Sequence, residues 1–279
     1  MFNSFIKNWI FPPAIFNAIN KSGIKKIVSH KHETFNELLE RNKQLKDRHL
    51  GKRCFILAAG SSVKQQDLRK LKGEYVLSVS NTFVHKDFPE FRPQYHILPS
   101  LIMGHSSFFT KDKFVEWLEE IDKNIFDAEI FLHIGDMEMV EANNLLLNRK
   151  INWVDYIKRS EDFNYPIDLG KVPNLWTVSE LAIIVALHLG FESIYLIGFD
   201  HDWFSDYGYF YDLNKEHKMK PRTASQNKFD SEHQMRVFAS VFKNYKYLYS
   251  LKRNIFNANA NKKTYVDVFP KVDFDELFQ

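Results

Sequence analysis

The chain has 279 residues, of which 44% are hydrophobic and 26% are charged, a composition typical of a globular protein and not of a disordered one. This length allows one large α/β domain or one domain with an appendage. The formal charge of +3 is small, so no nucleic-acid partner is expected. The single cysteine, Cys54, excludes a disulfide within the chain and predicts a reducing, cytoplasmic location.

Residues 1–50 are expected to form a helical extension ahead of the main domain. Polar residues and the pair Pro12 and Pro13 interrupt its first part too often for it to span a bilayer, which needs about 20 apolar residues. The aromatic and basic side chains within residues 2–26 suit two arrangements. They would either rest on the anionic inner face of the cytoplasmic membrane or pack on the domain or a second subunit of a homo-oligomer.

An apolar run that ends in small residues is the most informative local pattern. Residues 53–63 read Arg-Cys-Phe-Ile-Leu-Ala-Ala-Gly-Ser-Ser-Val, and a helix-compatible segment follows at residues 64–71. A buried parallel strand has this pattern when it stops at a tight turn that opens a helix. Amides at such a turn bind anions, so Gly60, Ser61 and Ser62 are predicted either to contact a phosphate or to form an ordinary turn.

A second informative pattern lies late in the chain. Apolar residues recur at helical spacing over residues 178–189, and residues 194–199 read as a buried strand. Asp200, His201 and Asp202 follow at the carboxyl end of that strand, where open α/β sheets bind their ligands. Because both predicted strands end in polar groups, we expect the two strand ends to line a single ligand-binding crevice.

The remaining sequence alternates short apolar runs with helical patterns. Residues 138–173 carry mixed signals and receive no assignment. The alternation predicts one α/β, Rossmann-like domain over residues 51–279, with a mostly parallel sheet, helices on both faces and a lid-like insertion at about residues 203–230. The further predicted elements are strands at residues 75–79, 95–98 and 129–134, helices at residues 114–121 and about 231–251, and an edge strand at residues 265–269.

Polar residues after the predicted strands are candidate ligand-binding groups. Asn81 suits a ribose, phosphate or sugar hydroxyl, or it forms a turn. Asp200, His201 and Asp202 together suggest a metal, but neighbouring residues of an extended chain point to opposite faces. No metal ligand is therefore assigned, and Asp200 and Asp202 are counted as substrate-binding. Thr177, at the start of the stretch that leads to Asp200, is counted with them.

The lid-like insertion and the histidines near it supply candidate catalytic groups. Three alternate tyrosines lie in the insertion: Tyr207, Tyr209 and Tyr211. Their hydroxyls would either donate hydrogen bonds to a departing phosphate or pack as part of the lid. Arg222 would close over a diphosphate or an acidic sugar, or remain solvated. A general base is expected at His233, with His201 as the rival.

Residues 55–63, Asn81 and residues 189–200 resemble one family. It comprises bacterial lipooligosaccharide sialyltransferases, which use CMP-sialic acid, and related 6-hydroxymethylpterin diphosphokinase-like proteins, including a surface-polysaccharide branch. The resemblance covers roughly residues 52–100 and 174–270. It implies a glycosyltransferase that moves a sugar, such as a CMP-activated nonulosonic acid, from a nucleotide donor to a glycan or lipid-linked acceptor.

Carried over by position, the resemblance implies contacts from Gly60 and Ser62 to the nucleotide and donor binding by Asn81. It places Asp200 at the nucleotide or acceptor pocket and gives the tyrosines after it a role on the departing phosphate. The chain departs from the family pattern at several positions. Ser100 replaces a donor-binding Asn of the sialyltransferases. The other departures are Ala59 for Asn, Ser61 for Pro and Asp202 for an aromatic residue.

Two other functions stay open at this stage. One is a diphosphotransferase of the pterin branch, which would need Mg²⁺ between the transferred phosphates. The other is a nucleotide-binding module without catalysis. The glycosyltransferase itself would require no cofactor beyond its donor, because a CMP leaving group is already ionised.

Overall fold

Seven strands form one sheet in the order β5-β4-β3-β2-β1-β6-β7, and neighbouring strands run parallel throughout. The structure is a computed structural model. It describes residues 35–101, 110–156, 165–172, 175–201, 209–211, 224–252, 254–260, 264 and 266–279, without the side chains of residues 224–231, 233 and 234. The strands are β1 Arg53–Leu57, β2 Tyr75–Val79, β3 Tyr95–Ile97, β4 Glu129–His133, β5 Ile151–Val154, β6 Ser193–Ile197 and β7 Ile255–Asn257.

The helices connect these strands across both faces of the sheet. The α-helices are α1 Phe88–Phe91, α2 Lys111–Asn124, α3 Met137–Ala142, α4 Val178–His188 and α5 Ala224–Leu251. The short 3-10 helices are Arg41–Leu45, Ser61–Gln65, Leu68–Leu71, Ser80–Val84, Ile134–Asp136 and Asp275–Phe278. In the described part of the chain, no helix combines the length and the apolar character needed to cross a bilayer.

The strand order reverses at β1, because β2 to β5 lie on one side of it while β6 and β7 lie on the other. The predicted Rossmann-like α/β fold is therefore confirmed. In such sheets, ligands bind outside the carboxyl ends of the strands at the point of reversal. Here that point lies between the carboxyl ends of β1 and β6. We call it the β1–β6 crevice.

Burial on both faces explains why the strands are so apolar. In β1, the four residues 54–57 are fully buried, as expected for a parallel strand covered on two sides. The side chains on one face of the sheet, including Ile56 and Leu196, pack against α4 and α5. The opposite set, including Phe55 and Leu132, packs against α2, α3 and the carboxyl-terminal segment. This two-sided core holds the strand ends, and hence the crevice, in place.

Residues 35–50 pack against the domain. The Nδ2 atom of Asn42 donates to the carbonyl oxygen of Trp153 at 2.6 Å. The carbonyl oxygen of Asn42 lies 2.8 Å from the Nε2 atom of His188. The amides of Asp47 and His49 donate to the carbonyl oxygens at the end of α4. Residues 1–34 lie outside the described residues, so the expected membrane or subunit contact of residues 2–26 stays a prediction.

The helix-compatible segment at residues 64–71 contributes to two 3-10 helices. Two local predictions were wrong. The edge strand is β7, whereas residues 266–269 are irregular and residue 265 lies outside the described residues. Helix α5 begins at Ala224 and not at about residue 231, so residues 224–230 of the predicted lid are helical. In addition, β5 forms within the region that carried mixed signals.

Candidate functional site

The turn after β1 is joined to the carboxyl end of β6 by hydrogen bonds. The amide of Gly60 donates to the carbonyl oxygen of Gly198 at 3.0 Å. The Asp200 carboxylate accepts two bonds from Ser62, one from the backbone amide at 2.8 Å and one from the hydroxyl at 2.5 Å. Ser62 and Asp200 are both buried. Asp200 therefore ties the two strands together across the β1–β6 crevice.

Two glycines allow this close approach of the strand ends. A Cβ atom on Gly60 would lie 2.5 Å from both the carbonyl oxygen of Gly198 and the Oδ2 atom of Asp200. Gly198 has a φ of +72°, and a Cβ atom there would lie 2.5 Å from the carbonyl oxygen of Ala58. Only glycine fits such contacts between backbones. Close packing against Gly198 and Asp200 therefore explains why this turn has a glycine at position 60.

The same contacts change the predicted phosphate site. The helix after the turn is a 3-10 helix of five residues, so little helix dipole stands behind the amides. The amide of Ser62, which was expected to bind a phosphate, donates to Asp200 instead. The carboxylate of Asp200 therefore occupies the position at this amide where a phosphate was expected. Ser61 is half-buried beside it.

A short segment, residues 209–211, lies against the β1 turn. Tyr209 forms an antiparallel bridge with Gly60, and the amide of Phe210 donates to the carbonyl oxygen of Ala59 at 3.1 Å. The rings of Tyr209 and Tyr211 stack with their centroids 5.2 Å apart, and both side chains are half-buried. Two of the three predicted tyrosines are thus together at the crevice. Tyr207, Asp202 and Arg222 lie outside the described residues.

Asn81 lies two residues after the end of β2 and is buried. Its Oδ1 atom accepts a hydrogen bond from the indole nitrogen of Trp117 at 2.5 Å. The preceding residue, Ser80, has a φ of +48°, a conformation that residues other than glycine adopt infrequently. The strained turn and the bond from α2 fix the Asn81 amide in one orientation. The acceptor oxygen of this side-chain amide therefore already accepts a hydrogen bond within the protein.

Ser100 follows β3 and contacts a separate polar cluster at the ends of β4 and β5. Its amide donates to the hydroxyl oxygen of Tyr156 at 3.0 Å, and the Tyr156 ring packs edge-on against His133. The Nε2 atom of His133 lies 3.3 Å from a carboxylate oxygen of Asp155. The Asp155 side chain is 44% exposed, whereas Asp200 is buried. Asp155 is thus a solvent-accessible carboxylate at this edge of the sheet.

Sequence reasoning missed Asp155 and His133, although a usable signal was present. Asp155 directly follows the apolar run Ile151–Val154, just as Asp200 follows the end of β6. The strand is short, with four residues, and it lay in the region without an assignment. If every carboxylate that directly follows a short apolar run were treated as marking the end of a strand, Asp155 would have been among the candidate site residues.

Thr177 caps α4. Its hydroxyl accepts from the amide of Glu180 at 3.3 Å, and the Glu180 carboxylate accepts from the amide of Thr177 at 2.7 Å, which completes a capping box. The threonine hydroxyl also donates to Glu180 at 3.0 Å. The Thr-x-x-Glu spacing of the sequence is the signal for this cap. The role of Thr177 in the described structure is to begin a helix, and substrate contact by it stays a prediction.

His201 stands at the carboxyl end of β6 with a φ of +48°, and its Nε2 atom lies 3.1 Å from the hydroxyl oxygen of Tyr245 in α5. Burial lowers the pKa of His201 to about 4, so its imidazole is neutral at pH 7. The backbone of residue 233 lies in α5, twelve residues before Tyr245 and hence about 18 Å along the helix axis. The side chain of His233 lies outside the described residues, so its role as the general base stays a prediction.

No group of three or more histidine, cysteine, aspartate and glutamate side chains that could hold a metal ion occurs among the residues that the structure describes. The carboxylate of Asp200 is directed to Ser62. Its predicted neighbour Asp202 lies outside those residues, so a metal role for the pair stays untested.

Comparison with known proteins gives a distant similarity to a solved structure. No protein-family model matches the chain, and no curated protein sequence matches it. The solved structure of the MAf glycosyltransferase from Magnetospirillum magneticum AMB-1 is similar over 85% of this chain, with a TM-score of 0.43 and 12% identity. The chain spans 38% of the length of that protein. A likeness at this level carries no argument about this chain.

Proposed function

We propose that this protein is a glycosyltransferase that binds a nucleotide-activated sugar in the β1–β6 crevice. The observation that carries the proposal is the Asp200 carboxylate, held by two bonds from Ser62 at the point where the strand order reverses. An ionised carboxylate offers about four lone-pair positions. Ser62 uses two of them, which leaves acceptors suited to the hydroxyl groups of a ribose or a sugar.

The proposal revises the function of the β1 turn. Ser62 orients Asp200 and does not itself bind the phosphate. The departing phosphate is assigned to the other side of the turn, where Tyr209 and Tyr211 stack beside Gly60. Tyrosine hydroxyls in a partly dry site stabilise a developing negative charge by donating hydrogen bonds, without a formal cation.

The finer identity of the substrates rests on the sequence resemblance. The donor proposed is a CMP-activated nonulosonic acid, and the acceptor is a glycan or lipid-linked precursor of the cell surface. A nucleoside monophosphate leaving group makes an essential metal unnecessary. A diphosphotransferase would instead require Mg²⁺ to bridge the phosphates of ATP.

Donor turnover tests this proposal without knowledge of the acceptor. The protein is incubated with CMP-, UDP- and GDP-activated sugars in EDTA, and the released nucleotide is quantified by chromatography, because many transferases pass the sugar slowly to water. We expect release from the CMP donor. We expect Asp200→Ala to reduce it at least tenfold, whereas Asp267→Ala, which removes a 59% exposed carboxylate, leaves it unchanged.

Two results would contradict the proposal. One is turnover of no activated sugar by the folded protein. The other is equal loss of turnover in both aspartate variants, because that would separate the activity from the crevice. Release of AMP from ATP that needs Mg²⁺ would favour the diphosphotransferase.

A further inference from the structure

The carboxyl ends of β4 and β5 hold a pair of polar side chains outside the β1–β6 crevice. His133 is the last residue of β4, and Asp155 directly follows the last residue of β5. Neighbouring strands of a sheet lie about 4.8 Å apart, and β4 is three strands from β1, so the pair lies roughly 14 Å from the end of β1. A group bound by His133 and Asp155 therefore differs from the group that Asp200 binds.

A backbone amide fixes the orientation of the His133 ring. The amide of Gly135 donates to its Nδ1 atom at 3.0 Å, and the ring packs edge-on against Tyr156 with the centroids 4.6 Å apart. A flipped ring would present a carbon atom to the Gly135 amide and lose this bond. A nitrogen that accepts a hydrogen bond carries no proton, so the ring proton lies on Nε2. Nε2 is thus a hydrogen-bond donor held in one place.

This donor has no hydrogen bond to any of the residues that the structure describes. Nε2 lies 3.3 Å from the Oδ1 atom of Asp155, but the contact is too poorly aligned for a hydrogen bond, and the Nε2 atom is buried. His133 as a whole is only 6% exposed. A buried donor without an acceptor is costly and occurs infrequently in folded proteins. A ligand that accepts from Nε2 would supply the missing partner.

Asp155 places an acceptor beside this donor. Its backbone is held on both sides, because its amide donates to the carbonyl oxygen of Leu169 and its carbonyl oxygen accepts from the amide of Val172, both at 2.9 Å. The side chain is 44% exposed, and a carboxylate accepts hydrogen bonds without donating any. Asp155 is therefore an acceptor on a fixed backbone that a ligand can reach from solvent.

A donor and an acceptor this close together suit a hydroxyl group. A hydroxyl has a proton to donate and lone pairs that accept, so one oxygen can accept from Nε2 of His133 and donate to Asp155 at the same time. An ionised phosphate or carboxylate has no proton to donate to Asp155 and is repelled by its charge. An ammonium group cannot accept from Nε2. The pair therefore selects hydroxyl groups over charged ones.

We propose that His133 and Asp155 form a second subsite, which binds a hydroxyl group of a sugar. The subsite is separated from the donor crevice by the ends of β2 and β3 and is assigned to the acceptor glycan. That assignment rests on the proposed function, whereas the binding of a sugar hydroxyl does not. The wall between the two sites is firm at β3, where the amide of Ser100 donates to the hydroxyl oxygen of Tyr156 at 3.0 Å.

Sugar titrations followed by imidazole ¹⁵N NMR test the proposal. Long-range ¹H–¹⁵N spectra of the histidine-labelled protein are recorded with methyl glycosides of galactose, glucose, N-acetylglucosamine and N-acetylgalactosamine, with and without CMP. The signal that disappears in His133→Asn identifies His133, and the asparagine oxygen can still accept from the Gly135 amide. We expect at least one glycoside to shift the Nε2 signal of His133 in a saturable way. His188 is buried, with Nε2 2.8 Å from the carbonyl oxygen of Asn42, and should not shift.

Three controls separate hydroxyl recognition from general effects. Tetrahydropyran has a sugar-like ring with an ether oxygen but no hydroxyl group, so it cannot donate to Asp155 and should leave the His133 signal unchanged. Asp155→Ala should fold, because the side chain is largely in solvent. It should raise the Kd of the glycoside at least about tenfold, as expected for loss of a hydrogen bond to a charged group. Asp127→Ala removes a 64% exposed carboxylate just before the opposite end of β4, and the Kd should not change.

The outcomes separate this inference from the proposed function. If no glycoside shifts the His133 signal, with or without CMP, the proposal is overturned, because water alone then meets these groups. An equal Kd for the wild type and Asp155→Ala would also overturn it, and a shift by CMP alone would overturn the assignment to the acceptor. Glycoside binding without binding of any nucleotide would remove only the proposed function. Nucleotide binding without any effect of the glycosides would remove only this inference.

Discussion

Replacing Glu180 by glutamine should change how the stability of the protein depends on pH. The carboxylate is fully buried, and burial raises its pKa from 4.5 to about 7. At about 1.4 kcal/mol per pKa unit, a shift of that size corresponds to roughly 3 kcal/mol. The unfolded chain ionises Glu180 near its ordinary pKa, whereas the folded protein ionises it only near pH 7. The stabilising contribution is therefore complete below the ordinary pKa and is lost as the pH rises to about 7.

Urea unfolding of both proteins across this pH range provides the test. The free energy of unfolding of the wild type, minus that of Glu180→Gln, should fall by about 3 kcal/mol between about pH 4.5 and 7 and stay constant above. Taking the difference removes the contributions of His96 and His201, whose pKa values burial lowers to about 3 and about 4. A difference that is flat, or that grows with pH, would refute the reasoning, because it would mean that the four hydrogen-bond donors to Glu180 outweigh its burial.

Two further substitutions test the packing of the crevice. Gly60→Ala should lower the free energy of unfolding by several kcal/mol, because its Cβ would lie 2.5 Å from the carbonyl oxygen of Gly198. Gly170→Ala is the matched control with nearest contacts of 3.4 Å, and its midpoint in urea should hardly change. Trp117→Phe removes the buried hydrogen bond from the indole nitrogen to the Oδ1 atom of Asn81, so we expect a loss of about 1–3 kcal/mol in the same assay. An unchanged midpoint would show that the bond contributes little.

The sequence was sufficient to predict five of the described strands, β1 to β4 and β6, and that the ends of β1 and β6 lie together. The apolar runs of β1, β2, β4 and β6 are each five residues long and end at small or polar residues, so their positions could be read directly. β5 and β7, of four and three residues, were not found, whereas β3, also of three residues, was predicted as part of the run of residues 95–98. Residues 64–71 look helical by composition, yet the turn that Asp200 holds starts only 3-10 helices.

The contacts within the site could not be predicted from the sequence. Asp200 and Ser62 are 138 positions apart, and no local pattern reveals that one accepts from the other. The pairing of Trp117 with Asn81 is long-range for the same reason. The network around Glu180 is an intermediate case. The Thr-x-x-Glu spacing is a local signal for the cap, but Asn244, whose Nδ2 atom donates to Glu180, comes from a distant helix.

The most direct test of the central claim is nucleotide binding at the β1–β6 crevice. Thermal unfolding is followed with CMP, UDP, GDP, ADP and ATP, each in EDTA and in Mg²⁺, for the wild type and the variants Asp200→Ala and Asp267→Ala. A ligand at a hundredfold excess over its Kd stabilises the folded state by about 2.7 kcal/mol. The account predicts that CMP raises the Tm in EDTA for the wild type and Asp267→Ala, and fails to do so for Asp200→Ala. A shift by no nucleotide, or by ATP alone and only with Mg²⁺, would contradict it.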